Sequence, residues 1–315
     1  MKLPRALTLI PIAFGSILSI SANSSLNLKD FIKTSKNFSV GLTIAISSLF
    51  TGSLKGEETP DLCKDVLGTL DSSTGAYSKS AADIAADGTY FCAGTPDRFE
   101  LDIYEMGLCT SNPITGSPKA FSKTDCVESM VKESGVTADL AGTTVELPSA
   151  DSRPENNTYT YAYIVIKNTF GLKGSMKISD GSGGVHQYCS TSDGSSTSAT
   201  TSCTPVNHSE TLSSFGDGIF SPDFGPAAMP SGGGEVSALL TDSSLIRASS
   251  EAGVERLVAV FATNSGSPVV IDDSVSGLEV ELQVTDGGYG IEFDRDSGEV
   301  IDFGSMPFKP IFTTY

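Results

Sequence analysis

Two histidines, His186 and His208, are the chain's only imidazoles, and both fall in a stretch rich in Ser, Thr and Gly. A Ser-His-Asp triad needs no closeness in sequence, but serines and aspartates are so abundant that no assignment carries information. The histidines therefore read as solvated loop residues, and no catalytic residue is assigned. The HExxH, GxSxG, GxxxxGK[ST] and strand-linked GxGxxG patterns are absent. A pair of acids could serve an acid-dependent hydrolase, but with 37 acidic residues after position 56 any choice of pair is arbitrary.

The best cation candidate is Asp294-Arg295-Asp296-Ser297-Gly298, followed by Glu299 and Asp302. Asp-x-Asp-x-Gly opens many calcium loops, because hard Ca²⁺ wants several oxygens from one tight turn. Asp294, Asp296 and Asp302 are its ligand candidates. Arg295 sits in the middle, and a polar hairpin turn explains the same residues. No other cofactor is implied. A second feature is Phe220, Phe224 and Met229, with Phe215, in a Pro/Gly-rich stretch over 213–234. Such side chains either tuck into the core or form a contact loop for a partner.

Six cysteines, Cys63, Cys92, Cys109, Cys126, Cys189 and Cys203, contain no CxxC pair, which argues against zinc. An even count in an exported chain favours three disulfides. Fifteen pairings are possible; the local one, 63–92, 109–126 and 189–203, is preferred. Asn156-Asn157-Thr158 and Asn207-His208-Ser209 match the glycan acceptor pattern.

Charge divides the chain. Residues 1–56 hold six Lys/Arg and one acid; the remainder holds 14 basic and 37 acidic residues, a net of −23. Such a body repels nucleic acid and anionic lipid. Residues 1–56 read as an export leader, with two apolar runs at 6–20 and 38–50, each behind basic residues and ahead of small ones. The second run is taken as the signal core, and the stretch 1–25 as an upstream extension. The run 38–50 is too short to span a bilayer as a helix. Secretion or display at the cell surface follows, with no stable membrane span in the mature chain.

The elements that must position these residues are mostly strands. Thr158–Phe170 is the strongest, with Tyr159, Tyr161, Tyr163 and Val165 on one face and Thr160, Ala162, Ile164 and Ile166 on the other. The tyrosines read as core, or as a sugar-stacking platform were that face open. Gly171 and Gly174 are expected to bracket a tight reversal leading into a return arm at Ser175–Ser179. Arg98–Met106, Thr143–Leu147, Val236–Leu240, Arg256–Phe261, Val269–Ile271 and Leu278–Thr285 also read as strands. Ile291–Phe293 and Val300–Phe303 read as a hairpin, with 308–315 as a final strand. Short helices are expected after Thr59, with Leu62, Val66 and Leu70 on one face, at Ser78–Ala86, and at Ser122–Ser134. Residues 180–202 and 213–234 read as long loops.

The expectation is an all-β fold, mainly an antiparallel β-sandwich of immunoglobulin or jelly-roll type, with short helices near the start of the mature chain. Residues 57–315 would form one disulfide-bonded domain. The function expected first is a non-enzymatic structural or adhesive surface subunit, partnered by itself or by other surface proteins. A secreted module for glycans or calcium-dependent partners comes second, and an acid-dependent hydrolase third.

Overall fold

The structure is a computed structural model that describes residues 60–141, 153–216, 218–229, 234–263 and 267–315. The leader, Thr59 and Thr143–Leu147 lie outside the described residues. All described residues belong to one compact unit, Ile46–Tyr315. The fold is all-β, with antiparallel sheets, one of them curled, and few short helices. Among the described residues no helix is long and apolar enough to cross a membrane.

In chain order the first elements are α1 (Cys63–Val66), β1 (Leu70–Asp71), β2 (Ala76–Ser80), α2 (Ala81–Asp87), β3 (Phe91–Gly94) and β4 (Arg98–Cys109). Next come β5 (Ile114–Thr115), β6 (Ala120–Phe121), β7 (Cys126–Asp139), β8 (Asn157–Tyr159), β9 (Tyr161–Lys167), β10 (Thr169–Lys173), β11 (Ser175–Ser179) and β12 (Val185–Cys189). The chain ends with β13 (His208–Thr211), β14 (Asp223–Ala228), β15 (Glu235–Thr241), β16 (Arg256–Ala262), β17 (Val269–Ile271), β18 (Leu278–Gln283), β19 (Tyr289–Phe293), β20 (Val300–Ser305) and β21 (Lys309–Thr314).

The large sheet is organised by one long, bent strand. β9 and β10 run side by side with β4, Tyr161 opposite Cys109 and Lys173 opposite Arg98. The bend falls at Asn168, where the outer neighbour changes. Along β9 it is β16, and along β10 it is β13. Asn168 holds this fork with its buried side chain. Its Nδ2 donates to the Leu212 carbonyl (3.2 Å) beyond β13 and to the Val254 carbonyl (3.3 Å) ahead of β16. Its own carbonyl accepts from Leu212 N–H (2.8 Å). β15 and β14 continue the sheet beyond β16, and β7 covers the far side of β4.

Smaller sheets pack on this frame: β1-β2-β11-β12, β20-β19-β3, and the pairs β18-β21, β17-β8 and β5-β6. The main core joins Phe99, Ile166, Phe170 and Phe261 of the large sheet to Ile291, Phe293 and Phe303 of the three-stranded one. Phe308, on the strap between β20 and β21, sits between Phe99 (ring centroids 6.1 Å) and Phe261 (5.7 Å).

The disulfides join Cys63 to Cys92, Cys109 to Cys126 and Cys189 to Cys203. Each lies at the margin of a different sheet.

Several local expectations are overturned. Ser122–Ser134 is not a helix: residues 126–139 pair with β4 from Cys109↔Cys126 to Glu100↔Asp139. Val127, Val131 and Val136 suit a strand, the disulfide fixes one end, and the Ser122 hydroxyl meets Thr124 in a local turn. Leu70 does not continue the face of α1. The chain leaves that helix through Gly68 (φ +81°), and Leu70 lies 56% exposed on β1. Gly171 and Gly174 make no reversal. The chain passes from β10 into β11, which joins β2 and β12 in another sheet. Gly174 is needed for space, since a Cβ there would stand 2.2 Å from the Tyr289 ring. The two long loops carry strands as well, β12 in the first and β14 in the second. By contrast α2 matches the helix expected at Ser78–Ala86, starting three residues later and ending one later: Ser80 and Asp83 form a capping box, and Gly88 ends the helix at φ +72°.

Both long edges of the sheet are obstructed. β7 carries Glu128, Lys132 and Glu133 and breaks register between its pairings at Val131 and Val136. β14 contains Pro226, behind a cis peptide, and a bulge between Phe224 and Ala227. Proline, bulges and charge all hinder strand addition.

Asn168→Leu should keep the branched shape but leave the Leu212 and Val254 carbonyls without their donor. Urea unfolding is expected to show a loss of about 2–4 kcal/mol, at roughly 1–3 kcal/mol per buried unsatisfied group. A change under about 1 kcal/mol would mean the fork stands without this side chain.

Candidate functional site

β13 carries the titratable pair. In the sequence His208-Ser209-Glu210-Thr211 alternate residues face opposite sides. Ser209 and Thr211 point to solvent, while His208 and Glu210 sit in register with the buried Leu172 and Phe170 of β10. His208, expected as a solvated loop residue, is 5% exposed. His186 lies half-buried on β12.

Three elements close over this pair. From the end of β20, Ser305 N–H donates to Glu210 Oε2 at 2.6 Å. From β19, Tyr289 stacks on Phe303 (5.4 Å, 12°) and fills the space above Gly174. The third is the loop 190–196, anchored by the Cys189–Cys203 bond. It lies along β20 through Ser196 N–H to the Ile301 carbonyl (2.9 Å) and Phe303 N–H to the Gly194 carbonyl (3.0 Å). A Cβ at Gly194 would stand 3.3 Å from His208 Cδ2 and 3.5 Å from Asp302 Oδ1, so this glycine's backbone lies directly against both. Ser190 Oγ donates to the Val206 carbonyl (2.8 Å) and accepts from Gly174 N–H (3.2 Å).

The electrostatics follow from enclosure. Residue Glu210 keeps some surface on its stem, but its carboxyl group is enclosed, and burial pushes its pKa up to about 7 against the opposing Ser305 bonds. Burial pulls the His208 pKa down, although the Phe303 and Val206 carbonyls favour its charged form. Neither imidazole nitrogen makes a hydrogen bond of good geometry with those carbonyls, nor do the Ser305 and Tyr289 hydroxyls with their neighbours. Burial likewise raises the Tyr289 phenol. Chemically this is an enclosed set of proton-exchanging groups with Glu210 poised near neutrality.

The residues singled out from the sequence are distributed elsewhere. Asp294 closes the β19–β20 turn: its Oδ1 accepts from the N–H groups of Asp296 (3.1 Å) and Ser297 (2.8 Å) and from the Ser297 hydroxyl. Gly298 follows at φ +69°, pressed against the Ala81 carbonyl, where a Cβ would stand 1.9 Å away. Asp302 lies further along β20, opposite Glu292 and against Gly194. Asp294, Asp296 and Asp302 thus do not converge. Among the described residues no group of three or more His, Cys, Asp or Glu could hold a metal ion.

The supposed contact loop also turns inward. Met229 is buried, Phe220 and Phe224 are half-buried against the main core, and Phe224 meets Phe215 at 5.5 Å. Of the three tyrosines, Tyr159 and Tyr163 are core residues. Tyr163 crosses Gly107, which leaves room for its ring, and donates to Glu105 Oε1 at 2.5 Å; Lys123 binds the same carboxylate at 2.9 Å.

Motif reading misses one repeated pattern. Asp71-x-Ser73, Asp180-x-Ser182, Asp193-x-Ser195, Asp242-x-Ser244 and Asp272-x-Ser274 each place an aspartate oxygen on the N–H two residues ahead. These are Asx turns. The Thr191 and Ser195 hydroxyls hold Asp193 down at about 2. Similar donors lower Asp71 (Ser73 hydroxyl), Asp180 (Ser182 N–H) and Asp272 (Ser274 hydroxyl).

No family model, curated protein or solved structure matches the chain.

The two classes of carboxylate predict opposite pH arms. Glu210, raised from its usual 4.5, contributes most below its unfolded pKa, and that contribution fades as pH rises through about 7. The lowered aspartates contribute above pH 4 and fail as pH falls toward 2. His208 works against Glu210 below its ordinary 6.5, because its burial favours the neutral ring. Thermal melts from pH 3 to 9 should therefore show Glu210→Gln gaining on the wild type between pH 4.5 and 7.5, with both falling together below pH 4. Parallel profiles for the two proteins would place the Glu210 carboxyl in water.

Proposed function

We propose that the protein is an exported, non-enzymatic structural or adhesive surface subunit, a durable β frame that presents loops to copies of itself or to other surface proteins. The observation that carries this reading is the placement of the three disulfides. They clamp the margins of the three-stranded, large and four-stranded sheets, closing loops with separations of 29, 17 and 14 residues. Loops of that length restrict the unfolded chain by roughly 3 kcal/mol each, which suits an oxidising exterior where chaperones are scarce. The aspartate-locked turns act in the same direction, fixing the loops between strands. Tight clamping of surface connections is a property of frames rather than of moving lids.

Association through sheet edges is hindered by the bulges, charges and Pro226 on β7 and β14. Loop contact is the route this reading favours, and two loops stand out. Ile219 is 79% and Ile246 65% exposed. They lie on loops that meet at Leu240, whose N–H donates to the Pro222 carbonyl and whose carbonyl accepts from Ala248 N–H. Truncation of 308–315 is not a clean test of assembly, because β21 pairs with β18 along its length and Phe308 belongs to the core.

Protein recovered from its native surface or medium should form ordered assemblies by light scattering and negative-stain microscopy. The double variant Ile219→Asp/Ile246→Asp should lose them without a change in melting temperature. A monomer at every concentration, with no attachment to other surface proteins, would overturn the reading. Assemblies that survive the double variant would move the contact elsewhere.

A further inference from the structure

One rung of the large sheet gathers basic side chains on its convex face. Residues directly opposite each other in an antiparallel ladder point to the same side. Arg247 stands opposite Thr241, Thr241 opposite Arg256, and Arg256 opposite Lys167. Three cations thus share one rung of a body that holds 14 basic and 37 acidic residues after position 56. Two carboxylates touch the row: Asp223 pairs with Arg247 at 2.8 Å, and Asp102 stands 3.8 Å from Lys167. Arg256, in the middle, has none. Its guanidinium lies 3.7 Å from the centre of the Tyr104 ring, and Nη1 donates to the Glu255 carbonyl at 3.0 Å. The row therefore keeps a positive charge that nothing beside it balances. Exposed apolar side chains flank it, Ile246 (65%) next to Arg247 and Val131 (51%) on β7.

The β18–β21 pair carries the opposite surface. Val280, Leu282 and Phe312 pack inward, so the alternate residues Glu279 and Glu281 face out, opposite Thr313 and Ile311. Both glutamates are exposed, and neither forms an ion pair among the described residues. Tyr315, 70% exposed, lies across Gly277 at one end of this face, and Lys309 stands opposite Gln283 at the other.

We propose that these two faces bind each other between copies of the chain, the convex rung of one molecule docking on the β18–β21 face of the next. The proposal rests on the structural-subunit reading and names its contact. The occupant is a second copy because the same chain carries both halves. Arg256 gains the carboxylate it lacks, and the two glutamates gain bases. Spacing permits this: Glu279 and Glu281 stand about 7 Å apart along their strand, and Arg256 and Lys167 about 5 Å apart across theirs. An exposed ion pair alone contributes little, so the apolar groups beside the charges, Ile246 and Val131 against Ile311 and Tyr315, supply the buried area. Because the two faces differ, the contact is head-to-tail and repeats from copy to copy, closing a ring or extending a filament.

The test is charge reversal in the whole protein. Lys167→Glu/Arg256→Glu and Glu279→Lys/Glu281→Lys should each raise the concentration at which assemblies scatter light by about tenfold or more. Mixed in equal amounts, the two variants should co-assemble within about threefold of the wild-type concentration. The reversed rung of one then meets the reversed face of the other, and the two native faces meet in turn. Misfolding could not produce that rescue, and melting temperatures are measured beside it. The milder Lys167→Gln/Arg256→Gln, which puts no new acid beside Asp102, should weaken assembly in the same direction. Assemblies that survive both reversals, or folded variants whose mixture stays dispersed, overturn this contact and leave the structural-subunit reading standing. A wild type that is monomeric at every concentration overturns both. Polyglutamate retained by such a monomer through Lys167 and Arg256 would assign the face to another acidic partner instead of a second copy.

Discussion

The fold depends on how Asn168 settles the fork in the large sheet. A strand running from Tyr161 to Lys173 beside β4 would, if straight, keep one outer neighbour throughout. Instead its outer side is shared between β16 and β13, which approach from different parts of the chain. At the junction two carbonyls, Leu212 and Val254, have no strand to pair with. The Asn168 amide supplies two donors from one side chain and satisfies both. The bend it stabilises curls the sheet, and β13 then lies where His208 and Glu210 can face inward. The buried polar cluster then meets the end of β20 at Ser305.

How much of this is legible in the sequence varies with the distance of the deciding partner. Arg98–Met106 and Leu278–Thr285 declare themselves, because the alternation of apolar and polar residues records a local fact, one face in and one face out. The stretch 126–139 does not, because its spacing of Val and Met fits a helix nearly as well. What decides there is β4, an earlier strand to which the disulfide ties it at Cys109. The pair His208 and Glu210 is the extreme case. Its tetrapeptide is entirely polar, so it reads as loop, and the group that receives the carboxylate lies 95 residues away. Gly107 and Gly174 carry a signal of a different kind. A glycine inside a strand pattern marks a close approach, and both make room for a tyrosine ring, Tyr163 and Tyr289.

The strong acidity has a structural side that net charge conceals. Summed over the chain, the aspartates suggest a field that gathers cations. Taken one at a time, seven of those among the described residues stand at the first position of a turn and turn an oxygen toward the N–H two residues ahead. Asp294, the foremost cation candidate, is among them. A carboxylate held in that way is a turn-forming element whose charge faces water as a by-product. The relevant pattern is the serine two residues on, since the hydroxyl adds a second donor to the same oxygen, as Ser73 does for Asp71 and Ser274 for Asp272. Frequency of a residue type predicts little about binding when a competing local use is this strong.

A rigid rim and an incompletely filled interior, with a cavity of about 40 Å³ lined by Phe99, Phe170, Phe215 and Phe224, fit together for a physical reason. Close packing normally removes voids because neighbouring side chains relax into them. Here the walls cannot relax freely. The sheet's curvature is fixed at Asn168, the strap is tied down where Ser305 meets Glu210, and Phe308 is wedged between Phe99 and Phe261. The side bounded by Phe215 and Phe224 has the least backing, since β14 is an edge strand interrupted by a bulge and a proline. The same devices that keep that edge from pairing with another chain therefore loosen the wall of the cavity behind it.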